Sequence, residues 1–208
     1  MSDREYVIKL IVVGPPFAGK TCMVNKFCYN KFTNEYKATL GCDFSFMKTQ
    51  VKGPDGVPSK VKVQFWDIGG QELNAELTRV FYKGAAGCII VGDLTNNNTA
   101  NDIKLWYDAV KKIPNAEETG KKIVTTLFLN KVDLLTEESE RRKAESLKEE
   151  MLALGINQVF LTSALTGEGT QEGLDYVLQK AAEVKIFAST KIDNTLNPEI
   201  VMPSKGCC

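Results

Sequence analysis

The segment 14–21, with the sequence GPPFAGKT, constrains this chain more than any other because it fits the pattern G-x-x-x-x-G-K-[ST]. A buried-strand pattern at 6–13 precedes it, and a helix pattern begins near Gly19. A loop between a strand and a helix directs several backbone N–H groups inward, and the helix N-terminus adds partial positive charge. We therefore predict a phosphate-binding loop in which Lys20 reaches the outer phosphates and the Thr21 hydroxyl binds Mg²⁺.

The composition suits a soluble protein of one domain with a tail. The 208 residues are 43% apolar and 25% charged, and 26 Lys and Arg balance 26 Asp and Glu, so nothing favours a nucleic-acid partner. No run approaches the roughly 20 apolar residues of a membrane span. The N-terminal residues 1–5 resemble neither a signal peptide nor a myristoylation site. We expect a cytoplasmic protein.

The cysteines and the absence of histidine exclude several chemistries. Cys22, Cys28, Cys42 and Cys88 form no C-x-x-C pair, and no histidine is present to complete a zinc site. We expect these four thiols to be reduced and packed as small apolar groups. Without histidine, Ser-His and Cys-His nucleophile mechanisms are also excluded.

Short apolar runs alternate with amphipathic segments, which predicts an α/β fold with a largely parallel sheet. The further predicted strands are 43–51 and 61–65, joined as a hairpin around Gly53-Pro54-Asp55-Gly56, then 87–91, 123–129 and 159–161. The further predicted helices lie around 103–113, 144–154 (with Thr136 as N-cap) and 171–186. We expect six strands with helices on both faces, in a domain at 1–186 followed by a flexible tail at 187–208.

The segment Asn130-Lys131-Val132-Asp133 predicts which base is bound. It follows the strand at 123–129, and open α/β sheets bind ligands beyond the carboxyl ends of their strands. The Asp133 carboxylate can accept two parallel hydrogen bonds from the N1–H and N2–H₂ edge of guanine. Adenine would leave that charge unpaired, which is costly. Ser163-Ala164-Leu165 follows the last strand and could place a backbone N–H on the guanine oxygen.

Four motifs stand in the order and spacing of the Ras superfamily: 14–21, Asp67-Ile68-Gly69-Gly70-Gln71, 130–133 and Ser163-Ala164. Segment 36–44, Trp66-Asp67, segment 81–85 and the terminal Cys207-Cys208 resemble the Rab branch. The resemblance covers essentially the whole chain. It implies a P-loop NTPase G domain that binds GTP or GDP with Mg²⁺, hydrolyses GTP slowly and switches partners in intracellular vesicle traffic.

The resemblance also assigns roles by position. Gln71 would orient the attacking water, assisted by Lys20 and Thr39. Thr21, Thr39 and Asp67 would hold Mg²⁺, and the Gly70 N–H would sense the γ-phosphate. The remaining implied nucleotide contacts are Gly14, Pro16, Phe17, Ala18, Gly19, Cys22, Phe32, Tyr36, Asn130, Lys131, Asp133, Ser163, Ala164 and Leu165. Losing the γ-phosphate would relax the first switch loop (36–44) and the second switch loop (67–71).

Several residues depart from the family pattern. Pro16 stands where glycine is usual, and Phe17 beside it is bulky, so we expect the hydrolysis rate to be affected more than nucleotide binding. Ile68 and Gly69 replace a Thr-Ala pair, and Leu165 replaces a lysine. The alternative function is a nucleotide-locked scaffold with little or no hydrolysis. A P-loop kinase acting on a small molecule is disfavoured because Arg79, Arg141 and Arg142 form no arginine-rich lid.

The terminal Cys207 and Cys208 resemble a double geranylgeranylation site. Two long chains anchor a protein stably, whereas one acyl chain gives marginal binding. The alternative is two exposed thiols without a role. The resemblance further implies effectors that bind the switch loops, an exchange factor, a GTPase-activating protein and a prenyl-binding escort. We expect a monomer on the cytoplasmic face of an intracellular membrane.

Overall fold

A six-stranded sheet with helices on both faces organises the computed structural model, which describes residues 5–33, 35, 37–53, 56–74, 78–112 and 123–195. The strands are β1 (Glu5–Val13), β2 (Cys42–Lys52), β3 (Pro58–Ile68), β4 (Gly87–Asp93), β5 (Val124–Asn130) and β6 (Gln158–Leu161). The helices are α1 (Lys20–Tyr29), α2 (Thr78–Tyr82), α3 (Thr99–Lys111), α4 (Glu138–Ala153) and α5 (Thr170–Thr195), with short 3₁₀ turns at Glu72–Asn74 and Val132–Leu134.

The strand order is β2-β3-β1-β4-β5-β6, in which β2 pairs antiparallel with β3 and the other neighbours are parallel. This confirms the predicted six-stranded, mostly parallel sheet with one antiparallel edge arm. Because parallel strands are covered on both faces, they are apolar on both sides. Along β1, Leu10 and Val12 pack in one core cluster with α1 and α5, whereas Ile11 and Val13 pack in a second cluster with α3 and α4.

The β2–β3 hairpin follows its predicted alternation. Val61, Val63 and Phe65 are fully buried, as expected for the inward face of a half-buried strand. At the turn, the Gly53 N–H donates to the Val57 carbonyl at 2.8 Å. Pro54 and Asp55 of the predicted turn lie outside the described residues.

The last helix is longer than predicted. It continues to Thr195, so the prediction that it ends near Ile186 was wrong, and 187–195 are helical rather than part of an irregular tail. No glycine or proline stands between Gly173 and Pro198, and each added residue gains a backbone hydrogen bond once a helix has formed. The apolar periodicity fades there without ending the helix. Cys207 and Cys208 lie outside the described residues.

Two smaller predictions concern the ends of helices. Helix α4 begins at Glu138, so Glu137 rather than Thr136 is its N-cap, and Glu137 forms a capping box with Glu140. The Glu140 carboxylate accepts from the backbone N–H of Glu137 at 3.1 Å and from that of Thr136 at 3.0 Å. Ile113, which the pattern placed at the end of α3, lies outside the described residues. None of the helices in the described ranges combines the length and apolar character of a membrane span.

Candidate nucleotide-binding site

The loop 14–19 connects β1 to α1, as the motif predicted, and two of its glycines are required by close contacts. Gly14 has φ of 143°, and a Cβ there would lie 2.2 Å from the Val91 carbonyl oxygen of β4. Gly19 has φ of 92°, and a Cβ there would lie 2.5 Å from the Asn130 side-chain nitrogen. Both conformations are strained for residues with a side chain. The loop is thereby held against the carboxyl ends of β4 and β5.

Lys20 occupies the centre of this loop. Its ammonium is buried, with 6% of the residue exposed, and donates to the carbonyl oxygens of Gly14 at 3.0 Å and Pro15 at 2.8 Å. Burial lowers the pKa of Lys20 to about 8, an effect that the charge of Asp67 opposes. A buried cation held by two carbonyls, with one opposing carboxylate, is suited to gain a further anionic partner such as a phosphate.

Three oxygen-bearing side chains from three segments meet beside Lys20. The Thr21 hydroxyl donates to Asp67 Oδ2 and lies 3.1 Å from the Thr39 hydroxyl oxygen. Asp67 is 2% exposed, and its Oδ1 atom has no hydrogen-bond partner among the described residues. Burial raises the pKa of this carboxyl, while the Thr21 hydrogen bond and Lys20 lower it. The structure thus brings together all three residues predicted to hold Mg²⁺.

This donor set fits Mg²⁺, which prefers oxygen ligands and keeps several water or phosphate ligands. A buried carboxylate oxygen without a partner is costly unless a cation or donor satisfies it. The described residues contain no group of three or more His, Cys, Asp or Glu side chains placed to hold a metal ion. A cation here would therefore take one carboxylate and two hydroxyl oxygens from the protein.

The two switch loops contact each other and the phosphate-binding loop. The Gly69 N–H donates to the Gly41 carbonyl at 2.8 Å, and a Cβ on Gly69 would lie 2.6 Å from the Thr39 carbonyl oxygen. A Cβ on Gly70 would lie 2.4 Å from the Pro16 nitrogen. Gln71 follows and is exposed. The glycine that replaces the usual alanine at position 69 therefore permits close approach of the two loops, a role that the sequence alone did not reveal.

Asn130 links three loops on the base side of the site. It is almost fully buried; its amide nitrogen donates to the Ala18 carbonyl at 2.8 Å, and its amide oxygen accepts from the Ala164 N–H at 3.0 Å. The Ser163 N–H donates to the Glu168 carbonyl at 3.0 Å. The N–H groups of Ser163 and Ala164 therefore already have acceptors within the protein.

Lys131 has a partner that the sequence analysis did not identify. Its ammonium lies 2.6 Å from Asp93 Oδ2, and Lys131 adopts a left-handed backbone conformation with φ of 72°. The other Asp93 oxygen accepts from the N–H of Thr95 at 2.9 Å and from its hydroxyl at 2.7 Å. Asp93 pairs in register with Asn130. The sequence offers only an acidic residue just after the predicted strand 87–91, followed by threonine two positions later, and neither points to Lys131.

The remaining predicted residues form the rim of the site. Asp133 lies half-buried in the 3₁₀ turn Val132–Leu134. Leu165 is 49% exposed at the end of the loop that begins with buried Ser163 and Ala164. Phe17 is 64% exposed and has φ of 63°.

Two other predicted nucleotide contacts lie further into the fold. Phe32 is partly buried against the core cluster of α1 and α5. The Cys22 thiol lies 3.8 Å from the Thr33 carbonyl oxygen, and burial raises its pKa. Tyr36, the remaining predicted contact, lies outside the described residues.

Comparison with known proteins gives a consistent result. A model of the Ras family matches residues 9–183. Ras-related protein Rab-4 of Dictyostelium discoideum is 34% identical over 173 residues, which cover 83% of this chain and 78% of that protein. Ras-related protein Rab-32C of the same organism is 33% identical over 177 residues, covering 85% and 74%. Ras-related protein Rab-7L1 of Rattus norvegicus is 28% identical over 216 aligned residues, with complete coverage of both chains.

Proposed function

Because the chain belongs to the Ras family, as a small GTPase of the Rab branch that acts in vesicle traffic, we propose that the residues around 14–21 bind GTP with Mg²⁺ and hydrolyse it. One observation carries this proposal. The buried Asp67 Oδ1 has no partner among the described residues and lies in a cluster with the Thr21 and Thr39 hydroxyls. Burying a carboxylate oxygen without a partner costs free energy, and a bound cation would offset that cost.

The bound Mg²⁺ would neutralise charge on the phosphate oxygens. Thr21, Thr39 and Asp67 would hold the ion, directly or through water. Lys20 would move from the Gly14 and Pro15 carbonyls toward the terminal phosphates, where its charge is better compensated. Thr39 and the Gly70 N–H would bind groups present in GTP and absent in GDP. Hydrolysis would then release the contacts that keep the two switch loops in place.

Asp133 would recognise the base through the N1–H and N2–H₂ groups of guanine, with the aliphatic stem of Lys131 along the ring. Two features support this arrangement. Asp93 holds the Lys131 ammonium, and Asn130 holds Ala18 of the phosphate-binding loop and Ala164 of the rim in fixed positions. A thermal-shift comparison of GDP, GTP, ADP and ATP tests the proposal. We expect stabilisation by the guanine nucleotides alone, and equal stabilisation by ATP would contradict it.

Gln71 would orient water for in-line attack on the γ-phosphate. We expect slow hydrolysis, on the order of 10⁻⁴ per second as in related GTPases, and we expect Pro16 and Phe17 to be the loop residues that alter this rate. Single-turnover hydrolysis of preloaded GTP measures this rate, and Gln71→Leu should abolish it. A Pro16→Gly variant should hydrolyse faster. No turnover in the unmodified protein, with GTP still bound, would instead support the nucleotide-locked scaffold.

The partners and the membrane anchor form the rest of the proposal. The switch loops would bind effectors in the GTP state, and an exchange factor and a GTPase-activating protein would control the cycle of a monomeric protein. Cys207 and Cys208 would carry geranylgeranyl groups that hold the protein on the cytoplasmic face of an intracellular membrane, from which a prenyl-binding escort removes it. Intact-mass analysis of the protein from its own cells should show two added prenyl groups. Unmodified cysteines would contradict this part.

A further inference from the structure

Lys9 connects β1 to the turn that follows helix α2. Its ammonium donates to the Lys83 carbonyl at 2.9 Å, and its own backbone carbonyl accepts from the Ala86 N–H at 2.9 Å. Tyr82, the last residue of α2, is 7% exposed and packs in the core cluster with α3 and α4. Because both bonds come from one residue of β1, the turn 83–86 is a point at which α2 is fixed to the sheet.

The same ammonium lies over an aromatic ring that contacts both switch regions. It is 3.6 Å from the centre of the Trp66 ring, which is within the range of a cation–π contact. The Trp66 ring packs edge-on against Phe44, with 5.8 Å between ring centres, and lies 6.4 Å from the ring of Phe81. Phe44 ends the first switch loop, and Phe81 belongs to α2. Lys9 therefore binds the ring that joins these two segments.

The Lys9 ammonium also lies near the start of β2. Lys9 is partly buried, and burial lowers its pKa, an effect that the neighbouring Cys42 thiol opposes. Cys42 is the first residue of β2 and directly follows Gly41 of the first switch loop. A cation taken partly out of water needs partners that compensate its lost hydration. The Lys83 carbonyl and the Trp66 ring supply that compensation, so Lys9 has a physical reason to hold both.

The second switch loop is held differently at its own end. The Gly69 N–H donates to the Gly41 carbonyl at 2.8 Å, which ties this end to the first switch loop and so to the nucleotide. Lys9 ties the far end of α2 to the sheet instead. Gly70 and Gln71 thus lie on a stretch of chain that has one nucleotide-dependent attachment and one permanent attachment. A permanent attachment reduces the number of arrangements in which these two residues miss the γ-phosphate.

We propose that Lys9 is a positioning residue for the GTP-bound state, which it favours by fixing the end of α2 to β1 through the Lys83 carbonyl and the Trp66 ring. This inference rests on the proposed function. Lys9 is not among the residues that would touch the nucleotide or Mg²⁺, and it acts through the arrangement in which Gly70 meets the γ-phosphate. GDP lacks that phosphate. A residue that acts in this way changes the affinity for GTP and leaves the affinity for GDP unchanged.

The test measures the affinities of the full chain for GDP and for a non-hydrolysable GTP analogue. In Lys9→Met, which keeps the side-chain length and removes the charge, the GTP-analogue affinity should fall about fivefold, the size typical of one partly exposed hydrogen bond, while GDP affinity stays within about twofold. Lys9→Arg should restore the GTP-analogue affinity, because a guanidinium can donate to the same carbonyl and stack on the same ring.

The matched control is Lys111→Met on α3. It makes the same substitution at another lysine whose ammonium lies over an aromatic ring, 4.7 Å from the centre of Tyr107. Lys111 also pairs with Asp108 on its own helix, away from both switch loops. This variant should bind both nucleotides as the unmodified chain does.

Several outcomes would overturn the proposal: an unchanged ratio of the two affinities in Lys9→Met, an equal loss of GDP affinity, an equal change in Lys111→Met, or no recovery in Lys9→Arg. Urea unfolding establishes that each variant is folded. Lys9→Ala, which removes the reach of the side chain altogether, should show the same selective loss and replaces Lys9→Met if that variant does not fold. An unmodified protein that binds no guanine nucleotide would contradict the proposed GTPase site and this inference together. Normal binding by the unmodified protein, with an unchanged ratio in the variants, overturns the role of Lys9 alone.

Discussion

The side-chain amide of Asn130 donates to the Ala18 carbonyl across 2.8 Å, which fixes the phosphate-binding loop against the carboxyl end of β5. The oxygen of the same amide accepts from the Ala164 N–H. One buried side chain thus sets the distance between the phosphate end and the base end of the site. Because backbone groups on both sides depend on this amide, its loss should affect stability and nucleotide affinity together.

Asn130→Ala should lower the free energy of unfolding by about 2–4 kcal/mol, since it leaves the Ala18 carbonyl and the Ala164 N–H without partners. GDP release should also become faster. Urea unfolding and stopped-flow release of a fluorescent GDP analogue measure the two effects. Asn101→Ala on the exposed side of α3 is the matched control and should change neither quantity. A variant that retains full stability and slow release would show that Asn130 does not couple the loops.

The strands and the phosphate-binding loop were predictable because their signals are local. Residues 6–13 are apolar apart from Lys9, and the structure places β1 at Glu5–Val13. The motif at 14–21 predicts its own loop from eight consecutive residues. Such features need no knowledge of distant residues.

The unpredicted features depend on tertiary contacts or on helix propagation. Asp93 looks like an ordinary polar residue at a strand end, and its role appears only when β4 and β5 bring it to Lys131. Helix α2, with five residues, is too short for a periodic pattern. The extra length of α5 was missed because apolar periodicity reports packing, whereas the helix itself needs only unbroken backbone hydrogen bonds.

Lys20 should make the stability of the nucleotide-free protein depend on pH. Its pKa is about 8 in the folded protein and 10.5 ordinarily, so the unfolded chain binds more protons between these values and stability rises with pH there. At roughly 1.4 kcal/mol per pKa unit, the gain is about 3 kcal/mol. This gain in stability is absent below about pH 8, where Lys20 is charged in both the folded and the unfolded protein.

The test is urea unfolding of the nucleotide-free protein and of the Lys20→Met variant from about pH 7 to about pH 10.5. The difference between their free energies of unfolding isolates the Lys20 contribution, because the two proteins share all other titrating groups. The stability of the unmodified protein relative to the variant should rise across the interval. Lys143→Met serves as the control, since its lysine is exposed. A pH-independent difference between the protein and Lys20→Met would show that burial does not shift the lysine.

Gly70→Ala should impair hydrolysis more than GDP binding. A Cβ at this position would lie 2.4 Å from the Pro16 nitrogen and 2.7 Å from the Pro15 carbonyl carbon, so the second switch loop must move away. We expect single-turnover hydrolysis to fall at least about tenfold, equivalent to about 1.4 kcal/mol in the barrier. GDP affinity should change less, because the base contacts lie elsewhere. Lys143→Ala on exposed α4 is the control, since it adds no atom near the phosphate-binding loop.

Asp93→Asn should speed GDP release by about tenfold, because it removes the charge that holds the Lys131 ammonium at 2.6 Å while keeping the shape of the side chain. The Thr95 hydrogen bonds can persist with the Asn oxygen, so the free energy of unfolding should fall much less than in Asn130→Ala. Stopped-flow release of a fluorescent GDP analogue measures the effect. The control, Asp102→Asn, removes a carboxylate of α3 that accepts from the side-chain amides of Asn96 and Asn98, away from Lys131. If both variants released GDP equally fast, Asp93 would have no particular part in positioning Lys131.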